Sequence, residues 1–110
     1  MEQTILKNLL INEEYVRRVL PFLKEEYFSD SSQRKVFGII EDFFGKYNEM
    51  PTKEALLIEI ENDSELVSTS FDTVSSVITT ITSDSNKENI DWLVDETERF
   101  CQDRAIYNGL

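Results

Sequence analysis

Seven apolar residues packed between Val36 and Tyr47 constrain this chain more than any other feature. The stretch reads Gln33-Arg34-Lys35-Val36-Phe37-Gly38-Ile39-Ile40-Glu41-Asp42-Phe43-Phe44-Gly45-Lys46-Tyr47, with apolar side chains at 36, 37, 39, 40, 43, 44 and 47. Positions three and four apart lie one above another on an α-helix, so this set fills one wide face. Strand alternation would leave the Phe43-Phe44 pair unexplained. Ser31 or Ser32 is placed to cap the start, and Gly45 or Asn48 sits where the helix would stop. A stripe this wide exceeds what a surface helix needs, so it predicts the central helix of an all-α core. Tyr27, Phe28, Phe43 and Phe44 are then core aromatics.

The flanking sequence supplies partners for that helix. Ile5, Leu6, Leu9 and Leu10 predict an amphipathic helix over about 2–11. Asn12 can cap a second helix through Tyr15, Val16, Val19 and Leu20, with Glu13 and Glu14 at its positive end. Pro21 forces a break or a new first turn, and Phe22, Leu23, Tyr27 and Phe28 form a dense apolar patch. Met50-Pro51-Thr52 is a boundary, after which Thr52 can cap a helix carrying Ala55, Leu56, Leu57 and Ile60.

Val67, Phe71, Val74, Ile78 and Ile81 then repeat at four and three. The β-branched run from Val74 to Thr82 has strand propensity, but the period extends over four turns and decides for helix. A polar linker at Asp84-Ser85-Asn86-Lys87 precedes a last helix from Glu88 or Asn89. That helix lines up Ile90, Leu93, Val94, Thr97, Phe100, Cys101 and Arg104 on one side. It is still in register at Tyr107, so the sequence reads as a truncated piece of a longer chain. The expected fold is a compact all-α bundle of about six helices, one domain over residues 1–110.

Charge narrows the partners. The chain carries 22 acidic and 11 basic residues, a net −11, and no histidine. A phosphate backbone repels such a surface, so a basic or polar protein is the more natural partner. The lone cysteine, Cys101, leaves no intramolecular disulfide, which fits a reducing cytoplasm. Nothing resembles a signal peptide, and no run approaches the length of a membrane span.

Catalytic chemistry has little to stand on. The three glycines, Gly38, Gly45 and Gly109, are too far apart for a phosphate-binding loop, and no nucleophile can find a histidine base. Asp84 through Asp95 spaces oxygens somewhat as a calcium loop does, but Asn89 replaces the required glycine, so a linker and helix cap is the better reading. Asp91, Asp95 and Glu98 share a helix face. Asp95 to Arg99 and Glu98 to Gln102 are spaced for ordinary pairing on a solvated surface rather than for a metal. Cys101 reads as a small buried hydrophobe. Trp92 lies off the main stripe, and either packs on a second helix or stands exposed as an anchor for a partner.

The order of these motifs resembles the N-terminal domain of DnaB-family replicative helicases. Glu2-Gln3-Thr4-Ile5-Leu6-Lys7-Asn8-Leu9-Leu10 looks like that domain's opening helix, and the aromatic pair Tyr27-Phe28 precedes a polar break as it does there. Arg34-Lys35-Val36-Phe37 matches the start of the family's central helix, Met50-Pro51-Thr52 its proline turn, and Ile90 through Arg104-Ala105-Ile106-Tyr107 its last globular helix. The similarity is most marked to the helicases of T-even-type phages, around Trp92–Glu98 and Asp103-Arg104-Ala105. Bacterial members often have glycines where Lys7, Asn8 and Glu49 stand, and a histidine where Gln33 stands. The family's helical hairpin and ATPase domain are missing beyond Leu110.

The resemblance implies an assembly and partner-docking collar of an ATP-driven hexameric helicase, in the cytoplasm of a host cell. It implies no cofactor in these residues, ATP and magnesium belonging to a motor domain outside them. Primase, a helicase loader and further copies in the ring are the implied partners, with single-stranded DNA met mainly by the motor. Trp92, Glu96 and Arg99 are the candidate docking residues. Two alternatives are a standalone acidic helical adaptor and the helicase-binding domain of a primase, which shares a similar helical fold.

Overall fold

A computed structural model of the protein describes residues 1–63, 68–84 and 86–109. These form six α-helices: α1 (Glu2–Ile11), α2 (Glu13–Val19), α3 (Ser31–Tyr47), α4 (Lys53–Glu61), α5 (Ser68–Thr82) and α6 (Ile90–Gly109). Two single 3-10 turns, Leu20–Phe22 and Glu25–Tyr27, carry the chain from α2 to α3. No strand occurs among the described residues, and the all-α expectation holds.

Capping chemistry sets most of the boundaries. Asn12 Oδ1 accepts from the Tyr15 amide at 3.3 Å, Thr52 Oγ1 from Ala55 at 3.1 Å, and Asn89 Oδ1 from Trp92 at 2.9 Å. Pro21 sits at the start of the first 3-10 turn, where its missing N–H costs nothing. α3 departs from expectation at its start. Asp30 occupies its cap position without a side-chain bond, so neither Ser31 nor Ser32 caps it. It ends at Asn48, whose φ of 55° is the left-handed conformation that asparagine tolerates, while Gly45 lies within the helix.

The β-branched segment is helical, with Val74, Ile78 and Ile81 buried and Phe71 half-buried. Val67, expected on the same stripe, lies outside the described residues. Helix propensity disfavours such residues by a few tenths of a kcal/mol each, whereas burying each side chain contributes about 1.5–3 kcal/mol, so packing wins. Two hydroxyls of this helix return to its own carbonyls, Thr80 to Ser76 and Thr82 to Ile78.

α1 shares the centre of the core with α3, the expected central helix, which packs on α1, α4, α5 and the Glu25–Tyr27 turn. Five consecutive residues, Ile5 to Leu9, are buried in α1, so every side of the helix is covered there. It packs on α2, α3 and α5. In α3 burial is confined to Ser32, Val36, Phe37 and Ile40. The stripe continues past the core: Phe43 and Phe44 are half-buried and Tyr47 is 59% exposed. Phe22, expected in the apolar patch, is 55% exposed on its 3-10 turn, while Leu23, Tyr27 and Phe28 are buried. Sequence periodicity reports which residues share a face, not where the neighbouring helix stops covering it.

Ion pairs fasten α6 and the loop before it to the opposite end of the chain. Lys7 reaches Asp84 at 3.2 Å and Glu88 at 3.6 Å, and Arg18 reaches Asp91 at 3.1 Å. The Asn86 amide and then the Lys7 ammonium hold Asp84 below the usual carboxylate range. Asp84 thus serves a turn and a lysine, in line with the linker reading of that loop.

Candidate docking surface

The long last helix presents two unlike sides. Leu93, Val94, Thr97 and Cys101 face inward, and Tyr15 meets Thr97 across the α2–α6 junction. Burial pushes the Cys101 thiol up to about 11, with Glu98 nearby adding to the effect. Spacings of four and three put Trp92, Glu96 and Arg99 together on another side. Trp92 is 51% exposed, so it is neither sealed against a second helix nor fully free. Arg99 pairs with Glu96 at 3.1 Å rather than with Asp95, the partner that an i, i+4 reading favours. An exposed pair of this kind stabilises little, which leaves both groups free to re-pair with another surface. Among the described residues no three carboxylate or cysteine side chains converge as a metal site, Asp91, Asp95 and Glu98 included.

A second surface was not legible from the sequence, because its aromatics read as core. Two depressions flank the outer half of α3. One, of about 240 Å³, is bounded by Glu25, Asp42, Phe43, Tyr47 and Glu59 around Gly38. The other, of about 400 Å³, is largely apolar, with Val16, Leu20, Pro21 and Phe44. The Arg17 guanidinium lies 5.3 Å from the Phe44 ring centre and donates to Asn48 Oδ1 at 3.3 Å. The only sequence hint was the length of the apolar stripe, seven positions, against what one helical neighbour could cover.

A knot of contacts joins the segments that open, centre and close the domain. Glu2 Oε1 accepts from the Ser29 amide at 2.9 Å and from the Arg104 guanidinium at 3.2 Å. Arg34 donates to the Phe28 carbonyl at 3.2 Å. Phe28 stacks on Phe37 with ring centres 5.1 Å apart, Phe100 tilts against Phe28 at 6.0 Å, and Arg104 lies 5.2 Å from the Phe100 ring centre. Glu2, Phe28, Arg34 and Arg104 are therefore one physical unit, although 102 positions separate Glu2 from Arg104.

A family model described as the DnaB-like helicase N terminal domain matches residues 1–96. The chain belongs to the DnaB-like helicase N-terminal domain family. A curated relative, a DnaB-like replicative helicase of Enterobacteria phage T4, is 31% identical over 109 residues. That match covers 99% of this chain and 22% of the relative, so the chain spans about a fifth of that helicase's length. In this DnaB-like domain the motifs of the opening helix, the aromatic pair, the central helix and the last helix each supply a side chain to the knot around Glu2. No helix among the described residues is long and apolar enough to cross a membrane.

Proposed function

We propose that this DnaB-like domain is the assembly and partner-docking collar of an ATP-dependent hexameric replicative helicase that unwinds duplex DNA ahead of the fork. Family membership across residues 1–96 carries the reading. The net charge of −11 supports a protein-facing role, since it repels a phosphate backbone and attracts a basic partner. ATP and magnesium are assigned to a motor domain outside these residues, which also meets the single-stranded DNA. Primase, a helicase loader and neighbouring copies in the ring are the partners, met in the cytoplasm. The half-exposed Trp92 beside the Glu96–Arg99 pair has the make-up of an interface anchor, an aromatic and an arginine on one face.

The test is Trp92→Ala combined with Arg99→Glu in the full-length helicase. The reading expects primase association to weaken by about tenfold, as loss of an aromatic and an arginine anchor does, while DNA-dependent ATP hydrolysis stays unchanged. Unchanged binding with impaired hydrolysis would overturn it.

A further inference from the structure

The outer half of α3 is an unpartnered aromatic face with a carboxylate rim. Phe43 and Tyr47 sit one turn apart with ring centres 4.7 Å apart, and Tyr47 is among the most exposed large side chains. They form one wall of the cleft of about 240 Å³. Glu25 from the 3-10 turn, Asp42 from α3 and Glu59 from α4 supply carboxylates around it, and none of the three has an ion-pair partner among the described residues. Of the two lysines at the cleft, Lys35 is engaged with Asp63, which leaves Lys46 alone against three carboxylates.

Gly38 admits the flexible tip of Glu25 close against α3. A glycine in mid-helix costs about 1 kcal/mol relative to alanine, yet here a Cβ would collide with the Glu25 carboxylate. The missing methyl lets that carboxylate lie against the helix surface. Partial burial holds Glu41 nearby above its ordinary carboxylate value, and the like charges of Glu25 and Asp42 add to the effect.

We propose that this cleft is a docking pocket for an arginine or lysine side chain of a basic partner protein, the cation seated over Phe43 and Tyr47 and paired with Asp42 and Glu59. An aromatic wall attracts the cation's charge and its apolar stem, and three unpaired carboxylates supply the counter-charge. The same surplus repels a nucleic-acid backbone, so the occupant is a polypeptide. The pocket deepens the docking reading above by naming a second contact and the chemistry of what fills it.

The test titrates the isotopically labelled 110-residue chain with N-acetylarginine amide, and separately with N-acetylcitrulline amide, its neutral shape match, following backbone amide shifts. Saturable shifts confined to residues 38–47 and Glu59, present with arginine and absent with citrulline, are expected. Asp42→Asn combined with Glu59→Gln should weaken them at least about fivefold, and so should Tyr47→Ser alone. These side chains lie at the surface, and a thermal melt confirms that the variants fold. Shifts spread evenly over all acidic patches, equal shifts with citrulline, or variants that bind as tightly as the parent would each overturn the pocket. A cleft that fails while primase still binds through the α6 face sinks this inference alone and leaves the docking role standing.

Discussion

Tyr15 and Thr97 meet through a 2.6 Å hydrogen bond buried between α2 and α6, joining residues 82 positions apart. Thr97 also donates to the Leu93 carbonyl at 2.7 Å, which uses its one proton, so the Tyr15 hydroxyl is the donor in the pair. Burial holds the Tyr15 phenol well above its ordinary pKa, and it stays protonated at any physiological pH.

The two deletions are therefore unequal. Tyr15→Phe removes the donor and leaves Thr97 satisfied by Leu93, costing about 1 kcal/mol. Thr97→Val keeps the shape but strands a buried hydroxyl, costing about 1–3 kcal/mol. Urea unfolding of both variants and of the double variant reads the order. A Tyr15→Phe chain less stable than Thr97→Val would contradict the assigned donor.

Phe37 and Phe43 lie on one helical stripe but on opposite sides of the core boundary. Phe37 is fully buried against Phe28, so Phe37→Ala should cost about 3–5 kcal/mol. Phe43 is half-buried at the cleft, and Phe43→Ala should cost about 1 kcal/mol, the loss typical of a partly exposed site. Chemical denaturation separates the two, and equal losses would refute the placement of the boundary.

That boundary is where sequence and structure part. The caps at Asn12 and Thr52, the helical period from Phe71 to Ile81 and the inward stripe of α6 were all legible, because each depends on residues a few positions apart. The half-exposed Phe43 and exposed Tyr47 were not, because coverage depends on where α4 and the Glu25–Tyr27 turn end in space. The cleft was hidden for the same reason: Glu25, Asp42 and Glu59 come from three elements with no common spacing. Of the candidate docking residues, the sequence could place Trp92, Glu96 and Arg99 on one face but not say how much of Trp92 would be covered.

Glu41 gives a pH signature. Its folded pKa lies above the ordinary value of 4.5, so its contribution to stability is full below that value and is lost as pH rises through the folded pKa. Glu41→Gln should accordingly raise the melting temperature at pH 7, with the gain fading as pH falls below 4.5 and shrinking in high salt. A gain that persisted undiminished at pH 3.5 would show that the ionised Glu41 carboxylate is not its cause.

Cys101 should be slow to label. The residue is 8% exposed and its thiol is pushed up from 9.0 to about 11, which lowers the thiolate fraction at neutral pH by about 100-fold before access is considered. Reaction with a disulfide reagent should accelerate to the free-thiol rate in urea. Free-thiol kinetics in the native chain would place Cys101 on the surface and contradict the packing of α6.

The proposed docking role is tested most directly by the affinity of purified primase for the proposed full-length helicase with and without residues 1–110, measured by sedimentation with DNA-dependent ATP hydrolysis followed in parallel. Loss of primase binding with hydrolysis retained is the predicted result. Primase that binds the shortened helicase as tightly as the intact one would contradict it.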